Sequence, residues 1–203
     1  MRSSTVLIAN GEKPKNQKIL EILKRASNVI CIDNGYELAL ELDIVPSVLI
    51  GDLDSVNFKK VKKETLIVKE DEQNTNDLEK AYNYCVEKNI KNIILIGSTG
   101  GRDDQNLANI LISFDYIRKL NIEILSDQYS IKFVDGEASF NCDSLCQVSL
   151  ISLDKNNVIT TEGLKYNLTN SKLSSSTHGI SNYSINDKFY ISSSSPLIVF
   201  KKI

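Results

Sequence analysis

Gly51-Asp52-Leu53-Asp54-Ser55 is the stretch whose residue types and spacing most directly suggest chemistry. It follows an apolar run, Pro46-Ser47-Val48-Leu49-Ile50, that reads as a buried strand. In an extended backbone, side chains two apart point the same way, so Asp52 and Asp54 face one ligand while Leu53 packs behind them. Gly51 lets a partner come close to the backbone. Two converging carboxylates repel each other unless a cation lies between them, and Mg2+ is the usual cation where phosphates are handled. Asp and Ser also favour turns and helix caps, which is the plain alternative for this stretch.

Similar residues recur at the ends of other apolar runs. Asn10-Gly11 follows one, Asp33 a second and Gly97 a third. Residues 97–104, Gly-Ser-Thr-Gly-Gly-Arg-Asp-Asp, form a glycine-rich loop leading into a helix. Such a loop offers backbone N–H groups and a helix N-terminus to phosphate, and Arg102 adds a planar cation. It is neither a Walker A loop nor a G-x-G-x-x-G fingerprint. A glycine turn capped by Asp103 or Asp104 is the simpler reading of the loop alone. Asp77 opens a helix, where the dipole favours a carboxylate whatever its role.

The elements that must position these residues alternate over the first 125 positions. Strands are expected at 5–9, 29–32, 46–50, 65–68, 92–96 and 122–125, and helices at 15–26, 36–42, 77–88 and 107–120. Repeated strand–helix units imply a mainly parallel sheet flanked by helices, and ligands of such sheets gather beyond the carboxyl ends of the strands. From about Tyr129 the pattern changes to short alternating segments at 130–134, 138–140, 147–153, 158–161, 189–192 and 197–201, with no helix among them. The expected fold is therefore α/β: an N-terminal Rossmann-like domain at 1–128 and a C-terminal all-β sandwich or barrel at 129–203. The serine runs at 174–176 and 192–195 read as loop or strand-edge composition.

The composition excludes several classes. The net charge of −2 gives no basic field for nucleic acid. No apolar run approaches a membrane span, and the apolar part of the N-terminal stretch is too short for a signal peptide. The cysteines Cys31, Cys85, Cys142 and Cys146 form no disulfide framework or paired zinc motif, so a cytoplasmic setting is expected. The single histidine, His178, lies in a Ser/Thr-rich loop and reads as solvated.

Taken together the motifs resemble the thiamine pyrophosphokinase family. The resemblance rests on Asp33-Asn34-Gly35, on residues 51–55, on Gln73-Asn74-Thr75-Asn76-Asp77, on Gly100-Gly101-Arg102 with Asp104, and on Leu107-Ala108-Asn109. Residues 161–166 (Thr-Glu-Gly-Leu-Lys-Tyr) and Gly179-Ile180-Ser181-Asn182 extend it through the second half. It implies transfer of pyrophosphate from Mg-ATP to the hydroxyl of thiamine, giving thiamine diphosphate and AMP. It implies an acidic metal cluster of Asp33, Asp52, Asp54 and Asp77, with Asp52, Asp54 and Asp77 in the catalytic centre. ATP is assigned to Asn10, Asp33, Gly100, Gly101, Arg102, Asp104 and Gln105, and the vitamin to Gln73, Asp77, Ser181 and Asn182. The second domain is then the thiamine-binding one, and the protein a homodimer with its active site at the subunit interface. Asn74 and Asn76 stand where Asp and Thr are common in the family, and Gln105 where His is frequent. The rival readings are another phosphotransferase on the same sheet edge, a nucleotide-sensing module, and a structural protein without Mg-dependent ATP binding.

Overall fold

The computed structural model describes residues 5–203 apart from Asp71, Gln73, Asp143, Ser144 and Ser176. It divides into two compact units, Met1–Asp127 and Gln128–Ile203.

The first unit alternates strand and helix: β1 (Thr5–Ile8), α1 (Gln17–Arg25), β2 (Asn28–Ile32), α2 (Gly35–Glu41), β3 (Val48–Gly51), β4 (Leu66–Lys69), α3 (Asp77–Glu87), β5 (Asn92–Ile96), α4 (Asp103–Asp115) and β6 (Asn121–Leu125). Its strands lie in the order β6-β5-β1-β2-β3-β4, and every pairing is parallel. β1 and β3 are buried at every position, and β2 at all but its first. Consecutive buried residues point to opposite faces, so both faces of the sheet centre are covered, as a parallel sheet requires. β4 is the edge and exposes Leu66 and Ile67. The chain runs outward from β1 to β4 and then returns to lay β5 on the other side of β1. This reversal opens a crevice between the carboxyl ends of β1 and β5.

One helix differs from its expected span. The periodicity placed α4 at 107–120, but it covers Asp103–Asp115. Its first turn, Asp103-Asp104-Gln105-Asn106, is polar throughout and gives no apolar period to read. At the other end Tyr116 stops the helix: its hydroxyl donates to Asn83 Oδ1 at 2.8 Å, its ring lies 5.2 Å from that of Tyr82, and its carbonyl accepts from Leu120 N–H.

The second unit is built on β11 (Lys188–Lys202), which pairs antiparallel with β7 (Tyr129–Asn141) along its length. On its other edge β11 pairs with β9 (Ile159–Glu162) through its first half and with β8 (Gln147–Ser152) through its second. β10 (Asn182–Tyr183) joins β8. The expected pairs of short segments at 130–134 and 138–140, and at 189–192 and 197–201, are thus each one long strand. The register shifts between Ser193 and Leu197, within the serine run expected as loop or edge. The buried Asn157 side chain satisfies the bulge, donating to Ser195 O at 2.9 Å and accepting from Ser195 N–H at 3.0 Å. Phe140 and Phe189 stack at 4.8 Å inside a core that includes Val148, Leu150, Ile191 and Val199.

All four cysteines are free. Cys31 and Cys85 are buried in the first unit; desolvation raises both thiols, that of Cys85 to about 12, so both behave as inert core residues. No helix among the described residues is long and apolar enough to cross a membrane.

Candidate active site

A cleft of about 710 Å³ opens where the sheet order reverses. It is lined by the segments after β1 (Ala9 to Glu12), β2 (Asp33), β3 (Asp52) and β5 (Gly97, Ser98), together with the first turns of α3 and α4. Gly11 is required there: a Cβ on it would collide with the carbonyl oxygen of Gly97. The two loops of the switch point pass that closely, and Glu12 N–H donates to Thr99 O at 3.1 Å.

One wall is acidic. Asp33 follows β2 in the left-handed conformation, φ 45°, which Asp tolerates better than most residues. Its N–H donates to Ile50 O at 2.8 Å, and its Oδ2 accepts from Ser55 Oγ at 2.6 Å. Asp33 Oδ1 is buried and has no hydrogen-bond partner. Carboxylate oxygens of Asp33, Asp52 and Asp54 lie within 4.8 Å of one another. The convergence of Asp52 and Asp54 does not come from an extended strand, as the spacing suggested. β3 stops at Gly51, and Leu53 takes φ 62° with its side chain buried. A tight turn folds Asp54 back, and its N–H donates to Asp52 Oδ1 at 3.3 Å. Repulsion from Asp52, then desolvation and Asp33, raises the Asp54 carboxyl above its ordinary value. Gly51 is needed for the side chains around it: at φ 149° its missing Cβ would stand 3.3 Å from Asp33 Cβ and 3.4 Å from Asp77 Oδ1.

Asp77 is the first residue of α3. Asn76 caps that helix, accepting from Glu79 N–H while the Glu79 carboxylate accepts from Asn76 N–H, a reciprocal capping box. Asn thus serves as the cap where Thr is common in the family the motifs resemble. Asp77 borders the cleft but stands outside the group of three aspartates; its Oδ1 accepts from Lys80 Nζ at 3.0 Å.

The facing wall is the glycine loop. Gly97, Gly100 and Gly101 all have positive φ. Neither Asp103 nor Asp104 is the N-cap of α4: that position is Arg102, which makes no side-chain cap, while Asp104 Oδ1, within the first turn, accepts from Gln105 N–H at 2.9 Å. Arg102 lines the cleft, and Asp104 holds it by a fork, accepting from Nη2 at 2.6 Å and from Nε at 3.1 Å. This pairing keeps the Asp104 carboxyl low and the guanidinium high, with both side chains exposed.

Of the expected residues, Asn10, Asp33, Asp52, Asp77, Gly100, Gly101, Arg102 and Gln105 line this cleft. Asp54 joins through the aspartate group, and Asp104 through Arg102. Gln73 lies outside the described residues. Ser181 and Asn182 belong to the second unit. Ser181 has φ 61° and its N–H donates to Ser149 Oγ at 3.1 Å. The Asn182 side chain clamps Tyr166, donating to its carbonyl at 2.8 Å and accepting its N–H at 3.1 Å. His178 is exposed in the second unit, its Nδ1 accepting from Ser174 N–H.

The donor set suits a hard divalent cation. Three carboxylates converge, one buried oxygen has no partner, and no thiol or imidazole is among them.

Two family models match the chain. Residues 19–126 match the thiamin pyrophosphokinase catalytic domain, and residues 137–198 its vitamin B1 binding domain. The chain belongs to the thiamin pyrophosphokinase family. The thiamine pyrophosphokinase of Bacillus subtilis (strain 168) is 29% identical over 150 residues, which is 70% of each chain. The crystal structure of the Bacillus subtilis enzyme superposes with a TM-score of 0.82 at 24% identity, covering 98% of both chains. A thiamin pyrophosphokinase family protein of Enterococcus faecalis gives 0.83 at 23% identity over 99% of both. These two structures share the fold. Thiamin pyrophosphokinases transfer the pyrophosphate group of ATP to thiamine, and this chain is a transferase of that class.

Several polar residues of this cleft had no individual role assigned from the sequence: Glu12, Lys80, Ser98, Asn106 and Asn109. Asn109 had a signal, since it belongs to the matched Leu107-Ala108-Asn109 and sits seven residues beyond Arg102 on the helix. Its Nδ2 donates to Ser98 O at 2.9 Å, fixing the glycine loop to α4. Lys80 had a weak one, standing three residues after Asp77 where i, i+3 pairs meet.

Proposed function

We propose that this chain makes thiamine diphosphate and AMP from thiamine and ATP in one step, with Mg2+ held by Asp33, Asp52 and Asp54. The observation that carries this reading is the aspartate group facing a glycine loop and helix N-terminus across one cleft. Mg2+ bound there supplies charge neutralisation to the phosphates. The chain's own groups do the rest. N–H groups of the glycine loop and of the first turn of α4 hold phosphate oxygens. Arg102, oriented by Asp104, offers its remaining N–H groups to the same chain of phosphates. The thiamine hydroxyl oxygen attacks the β-phosphorus and gives up its proton to solvent, the bond from the β-phosphorus to the α-phosphate oxygen breaks, and AMP leaves. Such transfer depends on in-line positioning and electrostatics more than on a strong base. We read residues 1–128 as a Rossmann-like catalytic domain and residues 129–203 as a β-sandwich that carries the vitamin subsite, in a cytoplasmic enzyme.

The test is AMP release. It should require both Mg2+ and thiamine, and ADP should not accumulate. ADP as the product, or AMP released at the same rate without thiamine, would contradict the proposal.

The same reading includes a twofold homodimer with sites shared between subunits. Among the described residues no aromatic side chain lines the cleft to hold an aromatic vitamin, and the vitamin-like residues Ser181 and Asn182 lie in the other unit. Mixing Asp52→Asn with a variant inactivated at Ser181 should restore roughly a quarter of wild-type activity, because half the re-paired dimers carry one intact site of two. No recovery after demonstrated subunit exchange would place each site within one chain.

A further inference from the structure

Glu12 puts a negative charge against the loop that faces the acidic wall. It is exposed, borders the cleft, and its N–H donates to Thr99 O at 3.1 Å. Its side chain lies across Gly100. That residue has φ 84°, and a Cβ on it would collide with Glu12 Cγ and Cδ, so glycine at this position makes room for the glutamate stem. Among the described residues no hydrogen bond or ion pair reaches the Glu12 carboxylate. The cations that border the cleft among those residues, Arg102 and Lys80, are already paired with Asp104 and Asp77.

A carboxylate accepts hydrogen bonds and donates none. Phosphate oxygens are acceptors too and carry the same sign of charge, so a phosphate chain on the loop gives Glu12 only repulsion. The donors of a nucleoside triphosphate are the ribose hydroxyls and the amino group of the base. The ribose is the part bonded directly to the phosphate chain, so it is the donor-bearing part that lies next to a loop holding that chain. A carboxylate also offers two acceptor oxygens to the two hydroxyls of a vicinal diol.

We infer that Glu12 is a specificity residue that accepts hydrogen bonds from the ribose 2′- and 3′-hydroxyls of the nucleotide. This rests on the proposed function, in which the glycine loop holds the phosphates. Neither hydroxyl takes part in the transfer, yet Glu12 makes the cleft prefer a ribonucleotide. A group placed to bond a substrate hydroxyl rejects the analogue that lacks it.

The test compares Mg-ATP with Mg-2′-deoxyATP by calorimetry without thiamine, which reads binding apart from turnover. The wild type should bind ATP roughly tenfold more tightly, the effect of one hydrogen bond to a charged acceptor. Glu12→Ala should bind the two nucleotides within about twofold of each other, because the discriminating acceptor is gone. Its melting temperature without nucleotide should match wild type, since the side chain is exposed. Equal binding of both nucleotides by the wild type would overturn the inference. So would a preference for ATP that survives in Glu12→Ala, including the case where both nucleotides tighten equally, which marks a carboxylate that only repels phosphate. AMP formation by a wild type that shows no preference would strike the role of Glu12 and leave the proposed reaction standing. No binding of Mg-ATP at all would strike both.

Discussion

The two walls of the cleft are built on opposite principles. On the acidic wall, like charges crowd together, Asp33 keeps a buried oxygen without a partner, and Lys80 is buried to compensate Asp77. Each of these features opposes folding. On the glycine-loop wall, Arg102 and Asp104 are exposed and satisfy each other, and Asp104 also accepts from the first-turn Gln105 N–H. The acidic wall therefore carries stored electrostatic cost that a bound cation relieves, whereas the other wall is comfortable when empty. The acidic wall should govern the rate, and the loop wall should govern nucleotide affinity.

The largest effect should come from the acidic wall. Asp52→Asn keeps the shape and removes a hard anionic oxygen, and turnover should fall by roughly a hundredfold or more. The fold should survive, because the change relieves repulsion within the group. Steady-state AMP release and a melting curve check both halves. A wild-type rate would take the aspartate group out of the mechanism.

A smaller effect is expected on the loop wall. Arg102→Lys keeps the charge and loses the planar fork that grips Asp104 and phosphate together. The KM for ATP should rise by roughly tenfold, the cost of one charge-assisted contact, with little change in melting temperature without nucleotide. Strong apo-state destabilisation with normal ATP kinetics would make Arg102 a structural residue.

The smallest effect is a pH dependence. The Asp54 carboxyl is raised, so the folded protein holds that proton more tightly than the unfolded chain does. This group therefore favours the fold at acid pH, and that contribution is lost as pH rises through its folded pKa. Melting temperatures measured against pH without divalent cation should show this acid-side component, and Asp54→Asn should remove it. An unchanged profile in Asp54→Asn would mean that the repulsion is relieved by solvent.

These walls were not equally legible in the sequence. Asp33, Asp52, Asp54 and the glycine loop could be read because each follows an apolar run, and strand ends are where parallel sheets place ligands. The way Asp52 and Asp54 converge could not. It depends on Leu53 taking a left-handed turn, φ 62°, which no rule of local propensity assigns to leucine. Lys80 was hidden because a lysine on a helix normally faces water; only the packing of α3 on β3 makes it an interior residue. The first turn of α4 lies outside the apolar period because it is polar throughout: Asp103 and Asp104 are exposed, Gln105 and Asn106 border the cleft, and periodicity registers only apolar contacts. In the second unit, the continuity of β7 and β11 rests on long-range pairing across Gly136 and the serine bulge, which local alternation does not report.

The most direct test follows the β-phosphorus. With ATP labelled at that atom, one-step pyrophosphate transfer carries the label into thiamine diphosphate, bonded to the vitamin's own oxygen, in step with unlabelled AMP. The account predicts complete transfer of label, one thiamine diphosphate per AMP. Unlabelled thiamine diphosphate with labelled ADP would mean two successive transfers of the γ-phosphoryl group, and would contradict the mechanism assigned to this cleft.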